Sequence, residues 1–313
     1  MRRARVVAQA KINLFLRILA REANGYHQLE TLLCRLELGD DVSVRLTDGA
    51  RSLDCGGPTL PPSGLGPVEQ NLAWRAAVAY AEATGWGTGF EIEIIKRIPV
   101  GGGLGGGSAD AGGVLRALNA LAPVPLGDHA LLRLAATLGA DVPFLTQAAS
   151  PLALAWGRGD RLLALPPLPP RHCLLFAFRE GVSTVDAYRW LAESPAEPTA
   201  SVAYTLEWLA HWSHVDLMAY NEFERVVLPH HPLLRDVFNG LRQPELRVTL
   251  PFVRMSGSGA TLFALQPIDT SDEVDRDPVA IAFGIDTGGP EGGAVDMLDT
   301  QTAAHVESVR LDE

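Results

Sequence analysis

Pro99-Val100-Gly101-Gly102-Gly103-Leu104-Gly105-Gly106-Gly107-Ser108-Ala109-Asp110 is the stretch on which the reading of this chain turns. Eight of the thirteen residues from Gly101 to Gly113 are glycine. Phe90 to Ile95 (Phe-Glu-Ile-Glu-Ile-Ile) alternates as a strand just before it, and Ser108 to Leu121 reads as a helix just after. Glycine has no Cβ and tolerates positive φ, so successive N–H groups can turn toward one anion. A following helix adds its unpaired N–H groups and its dipole. The stretch therefore reads as a phosphate cradle. It is not a Walker A loop, since no Gly-Lys-Ser/Thr follows the glycines. It is a poor dinucleotide fingerprint too: Gly101-x-Gly103-x-x-Gly106 matches formally, but so glycine-rich a run matches almost any glycine pattern.

Upstream, the pattern is of strands. Val6–Ala10, Ile12–Leu19, Leu32–Leu38 and Val42–Leu46 are predicted strands, with Asn24-Gly25 and Gly39-Asp40-Asp41 as the turns between them. A Gly/Pro-rich loop spans Gly56 to Pro67, and the Ala-rich Asn71 to Thr84 is a predicted helix stopped by Gly85. Downstream, Leu131–Leu138 is a helix ended by Gly139, and Leu152–Ala155 a strand. Leu165-Pro-Pro-Leu-Pro-Pro-Arg171 reads as a linker, dividing the chain into 1–165 and 171–313. Beyond it, Cys173–Phe178 is a strand, and helices are predicted over Val185–Ala192, Val202–Leu209 and Leu233–Leu241. Val253 to Leu265 forms a second strand–glycine–strand unit, with Ala294–Thr300 as a last strand. Strands and helices mix without a regular βα period, which predicts an α+β fold.

At 313 residues, 47% hydrophobic and 20% charged, the chain has the profile of a globular protein. The formal charge of -11 is concentrated at one end. Residues 267–313 hold 12 acidic residues against Arg276 and Arg310; the first 266 hold 25 acidic against 24 basic. A near-neutral body argues against a nucleic-acid partner. No apolar run reaches the roughly 20 residues of a membrane span. Cys34, Cys55 and Cys173 form no C-x-x-C pair, which with the absence of a signal-like apolar core leads us to expect a cytoplasmic protein. Of 26 basic residues, only Lys11 and Lys96 are lysine. A lysine kept among so many arginines suggests a place where a compact ammonium is needed and a planar guanidinium does not fit.

Three places admit two readings each, and a fourth, Lys11, one. Ser108 is either a helix N-cap or a hydroxyl for a phosphate or Mg²⁺. Asp141, in Leu138-Gly-Ala-Asp-Val-Pro-Phe144, is expected to be buried, either as a turn former or as a carboxylate for an accepting hydroxyl. Lys11, in an apolar strand, calls for an acidic partner. Tyr26-His27 is a surface turn or a shelf for a flat ring.

Ala10-Lys-Ile-Asn-Leu, Gly25-Tyr-His-Gln-Leu, the glycine loop, Leu138-Gly-Ala-Asp-Val-Pro-Phe and Met255-Ser-Gly-Ser-Gly-Ala occur in this order over residues 6 to 266. Together they resemble the GHMP kinase superfamily and, within it, the 4-diphosphocytidyl-2-C-methyl-D-erythritol kinase family. The resemblance implies an N-terminal domain like ribosomal S5 and a C-terminal α+β domain, with ATP and Mg²⁺ between them. It implies phosphorylation of the substrate's 2-hydroxyl in the non-mevalonate route to isopentenyl diphosphate, by a monomer or homodimer. Asp141 is then the base, assisted by Lys11. Pro99 to Asp110 would bind ATP through Pro99, Val100, Gly101, Gly102, Gly103, Leu104, Gly105, Gly106, Gly107, Ser108, Ala109 and Asp110, with Asn71, Leu72 and Lys96 at the adenosine. Asn13, Tyr26, His27, Thr184 and Tyr188 would hold the cytidine diphosphate substrate, and Ser256, Gly257, Ser258 and Gly259 would brace the loop. Position 109 is Ala where many relatives carry a second Ser. Other readings are a homoserine or mevalonate type of GHMP kinase, or a non-catalytic nucleotide-binding protein on the same fold.

Overall fold

The computed structural model describes residues 2–22, 27–86, 89–195, 204–268 and 293–312. Two sheets organise them. The first has seven strands: β1 (Arg3–Arg21), β2 (His27–Thr47), β3 (Arg51–Gly56), β4 (Gly89–Ile95), β5 (Leu152–Gly157), β6 (Arg161–Leu165) and β11 (Arg310–Asp312). The second is antiparallel in the order β10 (Val295–Gln301), β7 (His172–Phe178), β9 (Thr261–Leu265), β8 (Phe252–Met255). Residues 166–171 run between the sheets, and the chain returns at its end to pair β11 with β1.

Strand β2 is the axis of the first sheet. One edge pairs antiparallel with β1 along nearly its whole length. The other edge is shared: Leu29–Cys34 pairs with β5, and Asp41–Thr47 with β4. The expected turn at Gly39-Asp40-Asp41 is therefore not a turn but the middle of a strand. Gly39 is needed there because β2 bulges beside it, residues 36–38 standing opposite the single Ala10 of β1, and a Cβ would stand 2.9 Å from the Ala8 carbonyl oxygen.

Helix α1 (Leu72–Thr84) is capped by Asn71, whose Oδ1 accepts from the Ala73 N–H at 2.9 Å, and ends on Gly85 at φ 67°. Helix α2 (Gly106–Leu121) lies against β1 and β2 and carries a buried face from Ala109 to Leu121. α3 (Asp128–Ala136) leads into the short α4 (Val142–Thr146). At Gly112 the backbones of α2 and α4 nearly touch: a Cβ would meet the Leu145 carbonyl oxygen at 2.7 Å. The second sheet buries Phe176, Leu262 and Ala264 against α5 (Thr184–Glu193), α7 (Glu224–Val227) and α8 (Pro232–Leu241). The predicted helix over Val202–Leu209 is not formed in its described part, which holds only a short turn at Trp208–Ala210 before α6 (Trp212–Met218). Among the described residues, no helix is long and apolar enough to cross a membrane.

Candidate active site

The glycine loop joins β4 to α2 and is held from below. Gly101, Gly103 and Gly105 take φ of 76°, 76° and 73°, and Gly105 is the N-cap of α2. Ser108 is therefore inside the first turn and not the cap. The loop's carbonyls face the protein. Gly102 O accepts from the Thr261 N–H at 3.1 Å, and Leu104 O from the Lys11 N–H at 2.9 Å. Gly103 O accepts from Lys11 Nζ at 2.8 Å and Ser256 Oγ at 2.9 Å. A Cβ at Gly103 would stand 2.3 Å from the Ser256 carbonyl oxygen, so only glycine lets this loop sit on its brace. Above it lies a cavity of about 340 Å³ walled by residues 99–108 with Asn71, Leu72, Lys96 and Asp110, and also by Leu65 and Ile98. It contains the N-terminal turn of α2, whose N–H groups have no helical partner. Ala109 is buried beneath and does not line it.

Lys11 connects this loop to a carboxylate. Its side chain is 3% exposed, and Nζ also donates to Asn13 Oδ1 at 2.8 Å. Asn13 is itself oriented by donating to Thr31 Oγ1 at 2.8 Å, and Thr31 Oγ1 donates to the Phe15 carbonyl at 2.6 Å. Asp141 Oδ2 lies 3.8 Å from Nζ. Burial lowers the Lys11 pKa, and the Asp141 charge pulls it back up. Asp141 is not buried as expected: its side chain is 40% exposed. It stands at the N-cap position of α4 but with helical dihedrals (φ -82°, ψ -17°) and without a side-chain cap bond. The turn-former reading thus accounts for its place in the chain and not for its carboxylate, which is turned toward the ammonium.

Lys96 sits at the neck of the loop between two buried carboxylates. Its Nζ donates to Asp110 Oδ2 at 2.7 Å and to Asp40 Oδ2. Asp40 is fully buried, and its Oδ1 accepts from the Arg97 N–H at 2.6 Å and the Ile98 N–H at 2.9 Å. Burial alone would lower the Lys96 pKa, but the two carboxylates outweigh it and the pKa is raised. Burial pushes Asp110 up to about 7; Lys96 opposes this and Asp40 adds to it. Asp110 Oδ1 is buried without a hydrogen-bond partner. A raised carboxylate pKa means that the native state holds a proton the unfolded chain has lost, so this group's contribution to stability falls as pH rises from about 4 to about 7. Asp110→Asn should remove that slope. The Tm gap between variant and parent, followed by scanning calorimetry, is expected to move in the variant's favour across that window and level off above it. A constant gap would show Asp110 ionised throughout.

Near Asp141 the start of β2 meets α5. His27 stacks on Tyr188 of α5 with centroids 4.8 Å apart and 24° between planes, and Phe223 packs edge-on to Tyr188 at 4.9 Å. Burial, and then the Asp141 charge, push the Tyr188 hydroxyl up to about 12; burial and Arg21 lower the His27 pKa. Thr184 Oγ1 and Ser258 Oγ are 2.9 Å apart, linking α5 to the glycine turn after β8. Gly257 passes close to Lys11: a Cβ there would lie 3.3 Å from Nζ. Tyr26 lies outside the described residues. Asn221 was not predicted. Its Nδ2 donates to the Met255 and Gly257 carbonyls at 2.6 and 2.8 Å, holding the brace in shape.

Among the described residues, no three His, Cys, Asp or Glu side chains form a metal cage. Mg²⁺ needs no such cage, since one or two carboxylates plus ligand phosphates suffice. The unpartnered Asp110 Oδ1 and the hydroxyl of Ser108, both at the cavity, fit that donor set.

Residues 71–148 match the family model "GHMP kinases N terminal domain". The 4-diphosphocytidyl-2-C-methyl-D-erythritol kinase of Deinococcus radiodurans is 40% identical over 82% of this chain and 82% of its own length. That of Pelobacter propionicus is 36% identical over 82% of this chain and 88% of its own. A crystal structure of 4-(cytidine 5'-diphospho)-2C-methyl-D-erythritol kinase superposes with a TM-score of 0.68 at 33% identity, covering 96% of this chain and 99% of that one. Homoserine kinase from Cytophaga hutchinsonii, at 18% identity and a TM-score of 0.66 over 99% of this chain and 97% of its own, shares the fold. The α+β architecture is thus that of the GHMP kinases, and the chain belongs to their 4-diphosphocytidyl-2-C-methyl-D-erythritol kinase family.

Proposed function

We propose that this chain transfers the γ-phosphoryl group of ATP to the 2-hydroxyl of 4-diphosphocytidyl-2-C-methyl-D-erythritol, a step of the non-mevalonate route to isopentenyl diphosphate. The observation that carries this is one buried ammonium, Lys11 Nζ, bonded to the phosphate loop at Gly103 and facing Asp141 at 3.8 Å. Asp141 Oδ accepts the proton of the attacking hydroxyl, and the half-exposed carboxylate leaves room for that hydroxyl beside it. Lys11 is held by Asn13 Oδ1 and Gly103 O, so its charge is already in place when negative charge develops. The loop and the first turn of α2 bind the phosphates, Asn71, Leu72 and Lys96 the adenosine, and Ser108 with Asp110 would hold Mg²⁺. Bound Mg-ATP supplies the phosphoryl group and the metal charge that offsets the phosphate oxygens. His27, Tyr188 and Tyr26 hold the cytosine ring, and the Thr184–Ser258 contact ties α5, the helix of Tyr188, to the loop brace.

A coupled ADP-release assay with Mg-ATP tests this, comparing the cytidine diphosphate substrate with homoserine and mevalonate. Turnover is expected with the first alone. Measurable ATP binding without turnover of any of the three would leave the fold and remove the activity. In the same assay, Tyr188→Ala is expected to raise KM for the cytidine substrate about tenfold, the size of a lost ring stack of roughly 1–1.5 kcal/mol. Its kcat should change little, and an unchanged KM would take Tyr188 out of the substrate site.

A further inference from the structure

A second charged cavity lies away from the kinase site. It is small, about 190 Å³, and lies between the C-terminal end of α6, the segment after α8 and the start of β8. Arg242, Arg247 and Arg254 line it, with Asp216 as its one acidic lining residue. Asp216 is already engaged, accepting from Arg171 Nη1 at 2.7 Å. Among the described residues, none of the three cavity guanidiniums is in an ion pair. Arg254 donates from Nη1 to its neighbour's carbonyl, Val253 O, at 2.8 Å and from Nη2 to Ala219 O, at the end of α6, at 2.7 Å. Its Nε is buried with no acceptor. Arg242 lies with its guanidinium 5.0 Å from the Phe238 ring centroid, and its charge acts on Arg254. Glu224 also acts on Arg254 and feels the charge of Arg242, and burial raises its own pKa to about 7, so near neutral pH one partly ionised carboxylate faces this positive charge.

Three like charges around one pocket, with a buried donor left over, outnumber the carboxylates that face them. Guanidinium forks match tetrahedral oxyanions in shape and charge. The volume falls below the roughly 300 Å³ at which pockets for organic ligands begin, which excludes a nucleotide and suits an ion of a few heavy atoms. We propose that Arg242, Arg247 and Arg254 form a binding site for a small phosphate-class oxyanion, an inorganic phosphate or the phosphate end of a phosphorylated metabolite, distinct from the glycine loop.

The test is titration calorimetry of the full chain with inorganic phosphate, at fixed ionic strength, after the glycine loop has been saturated with a non-hydrolysable ATP analogue. One phosphate is expected to bind per chain. Arg247→Gln, an exposed change, is expected to weaken it at least tenfold, and the Arg242→Gln/Arg247→Gln pair to abolish it, while kinase turnover stays within twofold. Pyrophosphate and glycerol phosphate serve as further probes: tighter binding of the ester than of phosphate assigns the site to a metabolite, and the reverse to the free ion. No saturable heat with any of the three would overturn the proposal, as would equal affinity in parent and double variant. Thermal shift of both variants without ligand separates loss of the site from loss of the fold.

Discussion

Asp141→Asn is expected to bind ATP as the parent does and to turn over about 10³-fold more slowly, or worse. The two side chains have the same shape, and the Asp141 carboxylate neither caps α4 nor packs in the core, so the exchange gives up the 3.8 Å ion pair with Lys11 Nζ and no helix-cap bond. It removes the one basic oxygen near Lys11 and the charge that accompanies it. The loss should fall on kcat, with KM for both substrates changed little, because the amide still fills the same space. Burial then acts on Lys11 with less opposition, so its pKa should drop further and the residual rate should be lost on the alkaline side, at a lower pH than in the parent. Single-turnover rates and nucleotide titration of the variant separate these effects. A variant with near-normal kcat would show that Asp141 is not the base.

Some of this site was legible in local sequence. The glycine run, the strand before it and the helix after it declare themselves by composition and period. The scarcity of lysine marked Lys11 and Lys96, and each is buried with its ammonium among acceptors that approach from different directions. A flat guanidinium could not satisfy either set. Asp40 was not legible, because Gly-Asp-Asp is turn chemistry by every local rule. Only the pairing of β2 with β1, and the bulge in β2 beside Gly39, keep it in a strand. The His27–Tyr188 stack and the hold of Asn221 on the brace join residues far apart in the chain, and no spacing announces them. The exposure of Asp141 was misjudged for a related reason. Its neighbours Val142, Pro143 and Phe144 are buried, and the apolar run concealed that the helix start opens on a cleft.

Asp40 carries the second large expected effect. It spans the neck of the phosphate loop: Oδ1 takes the N–H groups of Arg97 and Ile98 as the chain enters, and Oδ2 takes Lys96, which reaches Asp110 where the chain leaves as α2. A run of six glycines and one leucine has little conformational preference of its own, so a fixed neck limits what the loop must lose when it closes on phosphates. Asp40→Ala leaves Lys96 with a single carboxylate and strands the buried Ile98 N–H and the partly buried Arg97 N–H. Removing one partner of a buried ion pair costs about 3–5 kcal/mol, which should lower the Tm by on the order of 10 °C. The loosened neck should also raise KM for ATP at least tenfold, while KM for the phosphoryl acceptor stays within twofold, since Lys11, Asn13 and the His27–Tyr188 stack lie outside the network. Steady-state kinetics at a temperature where the variant is still folded decides the point. A lowered Tm with both KM values unchanged would reduce Asp40 to a core anchor, whereas the split between them would show that a buried carboxylate on β2 sets the shape of a loop about sixty residues further along the chain.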